Sequence, residues 1–313
     1  MTSSITGLKV LVLGGNGFLG THLVQELLRQ GAAVRVYGRS SAGGSDPNHK
    51  IEVFQGDFAS GAGLEAALKG VDIVYHLIST TVPSTSNADP IADVHNNLGG
   101  SLRLIQMMLS AQVNRIVYVS SGGTVYGNPR RVPVTESAAL QPVCSYGVVK
   151  VAVENYLHMY SELRGLVANV LRVSNPYGTH QHHIGVQGVI PTLFQRLRKG
   201  EPIEIWGDGS IVRDYIYVDD VVSALLMAGS SQVSGTYNIG SGVGHSLKDV
   251  LQLVCALTGV EGDIRYLPSR KFDVQRIYLD ISLAQERLGW SPAFSLEGGC
   301  KRYWDLIRSA DKI

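Results

Sequence analysis

Tyr146 and Lys150 stand four residues apart at the start of a stretch with helical periodicity, which puts both side chains on one helical face. A lysine ammonium beside a phenol favours the phenolate and draws its pKa down from about 10, toward the range of general acid–base chemistry. Such a pair can remove a proton from a hydroxyl and return it. Alone, it also fits a core tyrosine beside a solvated lysine. A second group shifts the balance. Gly14, Gly17 and Gly20 form G-x-x-G-x-x-G directly after the first apolar run and at the start of the first amphipathic stretch. Glycines there allow a tight turn, close approach of backbone N–H groups to a pyrophosphate, and close helix–sheet packing. The phosphates would sit at the positive end of the helix dipole. The alternative is an ordinary strand–helix turn.

The end of the second strand bears on which dinucleotide is bound. NAD enzymes place an Asp or Glu there for the ribose 2′-hydroxyl, whereas an Arg accommodates a 2′-phosphate. Here Gly38-Arg39-Ser40-Ser41 follows the strand, so a cationic fork and two hydroxyls replace the carboxylate. The cofactor is therefore NAD or NADP, with NADP slightly favoured; stacking of Arg39 on the adenine is the competing reading. Asp57 could accept a hydrogen bond from the adenine amine.

These residues need a scaffold. Lys9–Leu13, Ala33–Tyr37, Ile51–Phe54, Val71–His76, Arg115–Val119 and Val167–Arg172 are short, β-branched and apolar on both faces, as buried parallel strands are. Helical patterns over Phe18–Gln30, Leu64–Leu68, Ile91–Gln112 and Tyr146–Leu163 alternate with them. The expected fold is α/β, a Rossmann-type doubly wound parallel sheet with a smaller C-terminal α/β substrate lobe. The boundary falls at residue 174, so that 1–174 bind the dinucleotide and 175–313 form the lobe, with segments returning to the first domain.

Composition agrees. The 27 basic and 26 acidic residues balance at a net charge of +1, which disfavours a nucleic-acid partner. Cys144, Cys255 and Cys300 lie far apart with no C-x-x-C pair, which disfavours both a disulfide framework and structural zinc. No apolar run reaches the roughly 20 residues of a membrane span, and the N-terminus does not read as a signal peptide. A cytoplasmic protein is expected. The 36 glycines in 313 residues exceed the average of about 7% without being periodic.

Taken in order, Leu13-Gly14-Gly15-Asn16-Gly17-Phe18-Leu19-Gly20, Gly56-Asp57, Asn96-Asn97, Ser120-Ser121-Gly122-Gly123-Thr124-Val125-Tyr126-Gly127, Tyr146/Lys150, Leu171–Gly178 and Val212–Ile216 form one pattern. By it the chain resembles the extended short-chain dehydrogenases/reductases of the NAD-dependent epimerase/dehydratase family, and within them the UDP-glucose (UDP-galactose) 4-epimerases. The resemblance implies that Tyr146 deprotonates a sugar hydroxyl while hydride leaves the same carbon. It also implies that Lys150 tunes Tyr146 and bonds the nicotinamide ribose. Phe18, Leu19, Phe58 and Asn97 join the cofactor site, while Asn175, Arg213, Arg270 and Asp273 fall where such enzymes hold the nucleotide sugar. Ile277 matches the sugar-pocket gatekeeper. A homodimer packed through Ile91–Gln112 and Tyr146–Leu163 and a setting in polysaccharide synthesis are further implications.

Two departures stand out. Family members carry Ser or Thr where Gly122 stands. Thr124, on the same face in an extended segment, or Ser121, if the double-glycine turn rearranges, is expected to supply that hydroxyl, Thr124 being preferred. Dehydratases place Asp-Glu where Gly123-Thr124 stand here, which argues against water elimination. His180, His182 and His183 suggest a metal but lack further ligands of suitable spacing, so no metal is expected. The leading expectation is a UDP-hexose 4-epimerase, on glucose/galactose or N-acetyl forms. An NADPH-dependent 4-keto-sugar reductase is the alternative, and a non-catalytic dinucleotide-binding regulator ranks third.

Overall fold

The computed structural model describes residues 5–39, 51–181, 188–269 and 274–310. Its strands are β1 Lys9–Leu13, β2 Ala33–Gly38, β3 Ile51–Gln55, β4 Ile73–His76, β5 Arg115–Ser121, β6 Val167–Val173, β7 Asn175–Tyr177, β8 Ile203–Trp206, β9 Val212–Tyr217, β10 Gly235–Ile239, β11 Gly244–Ser246 and β12 Ile264–Leu267. The helices are α1 Phe18–Arg29, α2 Leu64–Leu68, α3 Pro90–Asp93, α4 Gly100–Ser110, α5 Ser145–Arg164, α6 Val189–Lys199, α7 Val218–Ser230, α8 Leu247–Thr258, α9 Ser282–Leu288 and α10 Leu296–Ala310.

Seven strands form one parallel sheet in the order β10-β6-β5-β4-β1-β2-β3. Val10, Val12, Leu11 and Leu13 are fully buried because helices cover both faces of β1. Leu11 and Leu13 face a core shared with α2, α4 and α5, whereas Val10 and Val12 face one shared with α1 and α7. This is the doubly wound architecture, whose ligands bind where the strand order reverses, here between β1 and β4.

Two further small sheets, β11-β9-β7 and β12-β8, lie in the later part of the chain. That part is interleaved with the first: β10 pairs with β6 in the large sheet, and α7 packs against β5 and β6. The segment before α9 also crosses back, as Val134 bridges to Leu279 and Asn238 donates to the carbonyl of Asp280.

One expected element differs. The continuous helix over Ile91–Gln112 is instead α3, a π-helical turn at Val94–Gly99, and α4. The extra residue of that turn comes where Asn97 and Asp93 turn inward and bond to a neighbouring loop, a preference invisible in the apolar periodicity.

Candidate active site

The glycine turn has the form its spacing suggests. Gly14 adopts φ +85°, and a side chain at Gly20 would bring its Cβ within 2.1 Å of the Gly14 carbonyl, so α1 packs directly on the turn. Gly17 is the N-cap of α1, which has no side-chain cap and no acidic residue in its first turn. The first N–H groups of α1 thus meet neither a capping side chain nor local negative charge, which fits a pyrophosphate. Arg39 lies exposed just beyond β2, its carbonyl accepting from Gln55. Ser40 lies outside the described residues. Asp57 is exposed and its carboxylate accepts from the Ala59 amide.

Tyr146 and Lys150 both sit in the first turns of α5, facing the C-terminal end of β5. Lys150 is buried, donates to the Val119 carbonyl at 2.9 Å, and lies 4.8 Å and 5.4 Å from the ring centres of Tyr118 and Tyr146. Burial pulls its pKa down to about 8, against the upward pull of Glu154 and Asp93. The phenol of Tyr146 is not lowered as the spacing suggests. Burial pushes it above its ordinary value, and Cys144 and Asp93 add to the effect. The reason is geometric: the Lys150 ammonium is directed at a backbone carbonyl and lies over aromatic faces.

The segment after β5 corrects a second expectation. It is not extended, since the amides of Thr124 and Val125 both turn back to the Ser121 carbonyl. Consecutive Gly122 and Gly123 permit that turn, which brings Thr124 under the start of α5: a Cβ at Gly147 would lie 3.1 Å from the Thr124 carbonyl. The hydroxyl Oγ1 of Thr124 is buried without a hydrogen-bond partner. Such orphans are rare in folded proteins and call for an explanation, a ligand among them. Ser121 stays in register opposite Val173 at the end of β5. Position 122 has no room for a side chain. A Cβ there would stand 2.6 Å from Leu279 Cδ1 and 2.9 Å from the Arg172 carbonyl.

The remaining expected residues divide. Asn175 donates to the Asp214 carbonyl at 2.8 Å, with its Oδ1 3.9 Å from where a Gly123 Cβ would be. Arg213, on β9, is half-buried and donates to the Val212 carbonyl. Phe18 and Leu19 are half-buried on the first turn of α1. The ring of Phe58 is buried, 5.0 Å from that of His76. Asn97 turns its amide to the loop after β4, accepting from Thr80 N and donating to Thr81 and Asp93. Ile277 is buried with Val125, Tyr126, Val134 and Leu279. Arg270, Asp273, His182 and His183 lie outside the described residues. Among the described residues no three His, Cys, Asp or Glu side chains gather as a metal site, and no helix is long and apolar enough to cross a membrane.

Sequence reasoning missed two sets of polar residues. Glu154, one turn beyond Lys150, receives Ser120 Oγ and pairs with Arg172 at 2.6 Å. Arg172 also donates to Tyr126, whose hydroxyl donates to Asn238. The four-residue spacing of 146, 150 and 154 was the available signal. The second set is Asp93 with Thr81 and Ser145, for which the sequence holds no signal because the partners are remote in the chain.

Residues 10–240 match the NAD dependent epimerase/dehydratase family. A putative UDP-glucose 4-epimerase of Methanocaldococcus jannaschii is 34% identical, covering 97% of this chain and 99% of that protein. The UDP-glucose 4-epimerase of Thermotoga maritima, solved with UDP-glucose, superposes with a TM-score of 0.91 at 34% identity, over 97% of this chain and 99% of its own. The Thermus thermophilus UDP-glucose 4-epimerase in complex with NAD gives 0.89 at 32%, over 97% and 100%.

Proposed function

The chain belongs to the NAD dependent epimerase/dehydratase family, and from that premise we propose that it is an NAD-dependent nucleotide-sugar 4-epimerase acting on UDP-hexoses. The observation that supports the reading is that Tyr146 and Lys150 at the start of α5 and the unpartnered Thr124 hydroxyl lie around the C-terminal end of β5, in the parallel sheet whose β1 ends in the glycine turn. Gly14, Gly17 and Gly20 with the first turn of α1 would hold the pyrophosphate of NAD, which when bound would supply a reversible hydride acceptor. Tyr146, in its phenolate form, takes the proton of the sugar 4-hydroxyl and, as the phenol, returns it to the 4-keto oxygen after the sugar has turned over, so atoms and charge balance over the cycle. Thr124 donates to or accepts from that oxygen in the place of the hydroxyl that Gly122 cannot carry. Lys150 holds positive charge next to the phenol while protonated, and burial limits that state to pH values below about 8.

Asn175 and Arg213, with Arg270 and Asp273, are assigned to the nucleotide-sugar diphosphate and ribose. Residues 1–174 form the dinucleotide domain and 175–313 the sugar-nucleotide lobe, which lends α7 and β10 back to the first. Arg39, exposed where a ribose-binding carboxylate would stand, supports use of NADP as well as NAD. Exposed apolar residues on α5 (Val148, Met159, Leu163) and before α4 (Ile91, Val94) support a homodimer through these helices.

The test is incubation with a panel of UDP-glucose, UDP-galactose and their N-acetyl forms, with and without NADPH, resolved by chromatography. Interconversion of 4-epimers with no net NADPH consumption is expected. Stoichiometric NADPH loss with a 4-keto substrate would replace epimerase by reductase.

A further inference from the structure

Helix α5, which carries Tyr146 and Lys150, begins without a cap of its own: Cys144 at the N-cap makes no side-chain hydrogen bond to the helix. Its first residue is held from another part of the chain. Asn87 Oδ1 accepts from the Ser145 amide at 2.8 Å, and Asp93 Oδ2 accepts from the Ser145 hydroxyl at 2.7 Å. Asp93 is fully buried, and its other oxygen accepts from Thr81 Oγ1 and from Asn97 Nδ2, both at 2.7 Å. Asn97 in turn holds the Thr80 amide. Thr80 and Thr81 follow β4 in the loop containing Ile78, whose Cγ1 lies 3.2 Å from where a Gly14 Cβ would be. One carboxylate therefore links the start of the tyrosine helix to the loop beside the phosphate turn.

We propose that Asp93 is a positioning residue for Tyr146, acting through Ser145: its buried carboxylate locks the first turn of α5 to the loop after β4. Asp93 touches no reacting atom. It fixes the phenol relative to the glycine turn, so that the proton leaves the hydroxyl oxygen and the hydride leaves the carbon that bears it in one fixed geometry; misplacement by about 1 Å can cost a factor of about 100 in rate. Its charge has a second effect. Tyr146 is faced by Asp93 from α3, by Cys144 and Lys150 on its own helix, and by Tyr118 from β5. Lys150 is faced also by Glu154 and by His76 from β4, which burial holds neutral with a pKa near 3. Asp93 contributes an upward pull on the pKa of both Tyr146 and Lys150.

This rests on the epimerase reading for its kinetic arm only. Ser145→Ala keeps the charge and removes the tether, whereas Asp93→Asn keeps the shape and removes the charge. In Ser145→Ala, kcat for the UDP-hexose is expected to fall about tenfold, with KM and both limbs of the pH profile unmoved. In Asp93→Asn, both limbs should move to lower pH by about half a unit or more, because a negative charge has left two proton-binding groups together. Hydrogen exchange of the amides at 146–149 is the substrate-independent readout and should speed up at least about tenfold in Ser145→Ala. Unchanged exchange there, or Asp93→Asn limbs that stay in place, overturns the proposal. If the unaltered protein epimerises no UDP-hexose, the functional reading falls by itself and the exchange arm decides this one.

Discussion

Along one face of α5, Tyr146 and Lys150 contrast with Glu154, one turn further on, in how their polar groups are used. Glu154 is saturated: Ser120 and two nitrogens of Arg172 occupy its oxygens, and Arg172 is completed by Tyr126 and the Glu136 carbonyl. Around Tyr146 the balance is left open. Thr124 Oγ1 has no partner, and burial drives both ionisable groups toward their neutral forms. A buried network that satisfies itself rigidifies a fold. One that does not is held in reserve for a ligand, at a cost in stability.

The largest effect that could break this contrast is Tyr146→Phe, which should lower kcat by about a thousandfold or more while cofactor affinity measured by titration is retained. Near-normal turnover would remove Tyr146 from the chemistry. Next is Glu154→Ala, which should lower unfolding free energy by about 3–5 kcal/mol, read by urea denaturation, because Arg172 would be left buried without its counter-charge.

A pair of single-hydroxyl deletions sharpens the comparison. Thr124→Val should lower kcat by roughly 10- to 100-fold with unfolding free energy unchanged or improved, since the lost hydroxyl bonds to nothing inside the protein. Tyr126→Phe should cost about 1–3 kcal/mol of stability, since its hydroxyl is bonded to both Arg172 and Asn238. Equal stability losses would erase the distinction.

The smallest effect is in pH. Lys150 has a folded pKa of about 8 against 10.5 when exposed, so between those values the unfolded chain binds more protons and stability rises with pH. Activity should fall over the same window as the ammonium is lost. Melting temperatures on either side of the window should show this rise in the unaltered protein and lose it in Lys150→Met.

Much of this was legible in the residues. The alternation of short β-branched runs with amphipathic stretches specifies the doubly wound sheet because each strand is buried on both faces. The glycine turn and the Tyr146/Lys150 pair are readable because turn geometry and helical spacing are local. The conformation around Thr124 was not legible, since a turn rather than an extended strand carries it. The π-helical turn at Val94–Gly99 was not legible, because Asp93 and Asn97 there bond to residues outside the helix.

The sequence by itself determined the alternation that makes the fold, the glycine turn and the pairing of Tyr146 with Lys150 on one helical face, all of which depend on neighbours within a few residues. Only the tertiary structure decided why residue 122 is glycine. The backbone carbonyl of Arg172, 50 positions away, and the Leu279 side chain fill the space a side chain would need. It likewise decided the direction in which the pKa values of Tyr146 and Lys150 are displaced, because desolvation depends on everything packed around a group, whereas spacing reports only one neighbour.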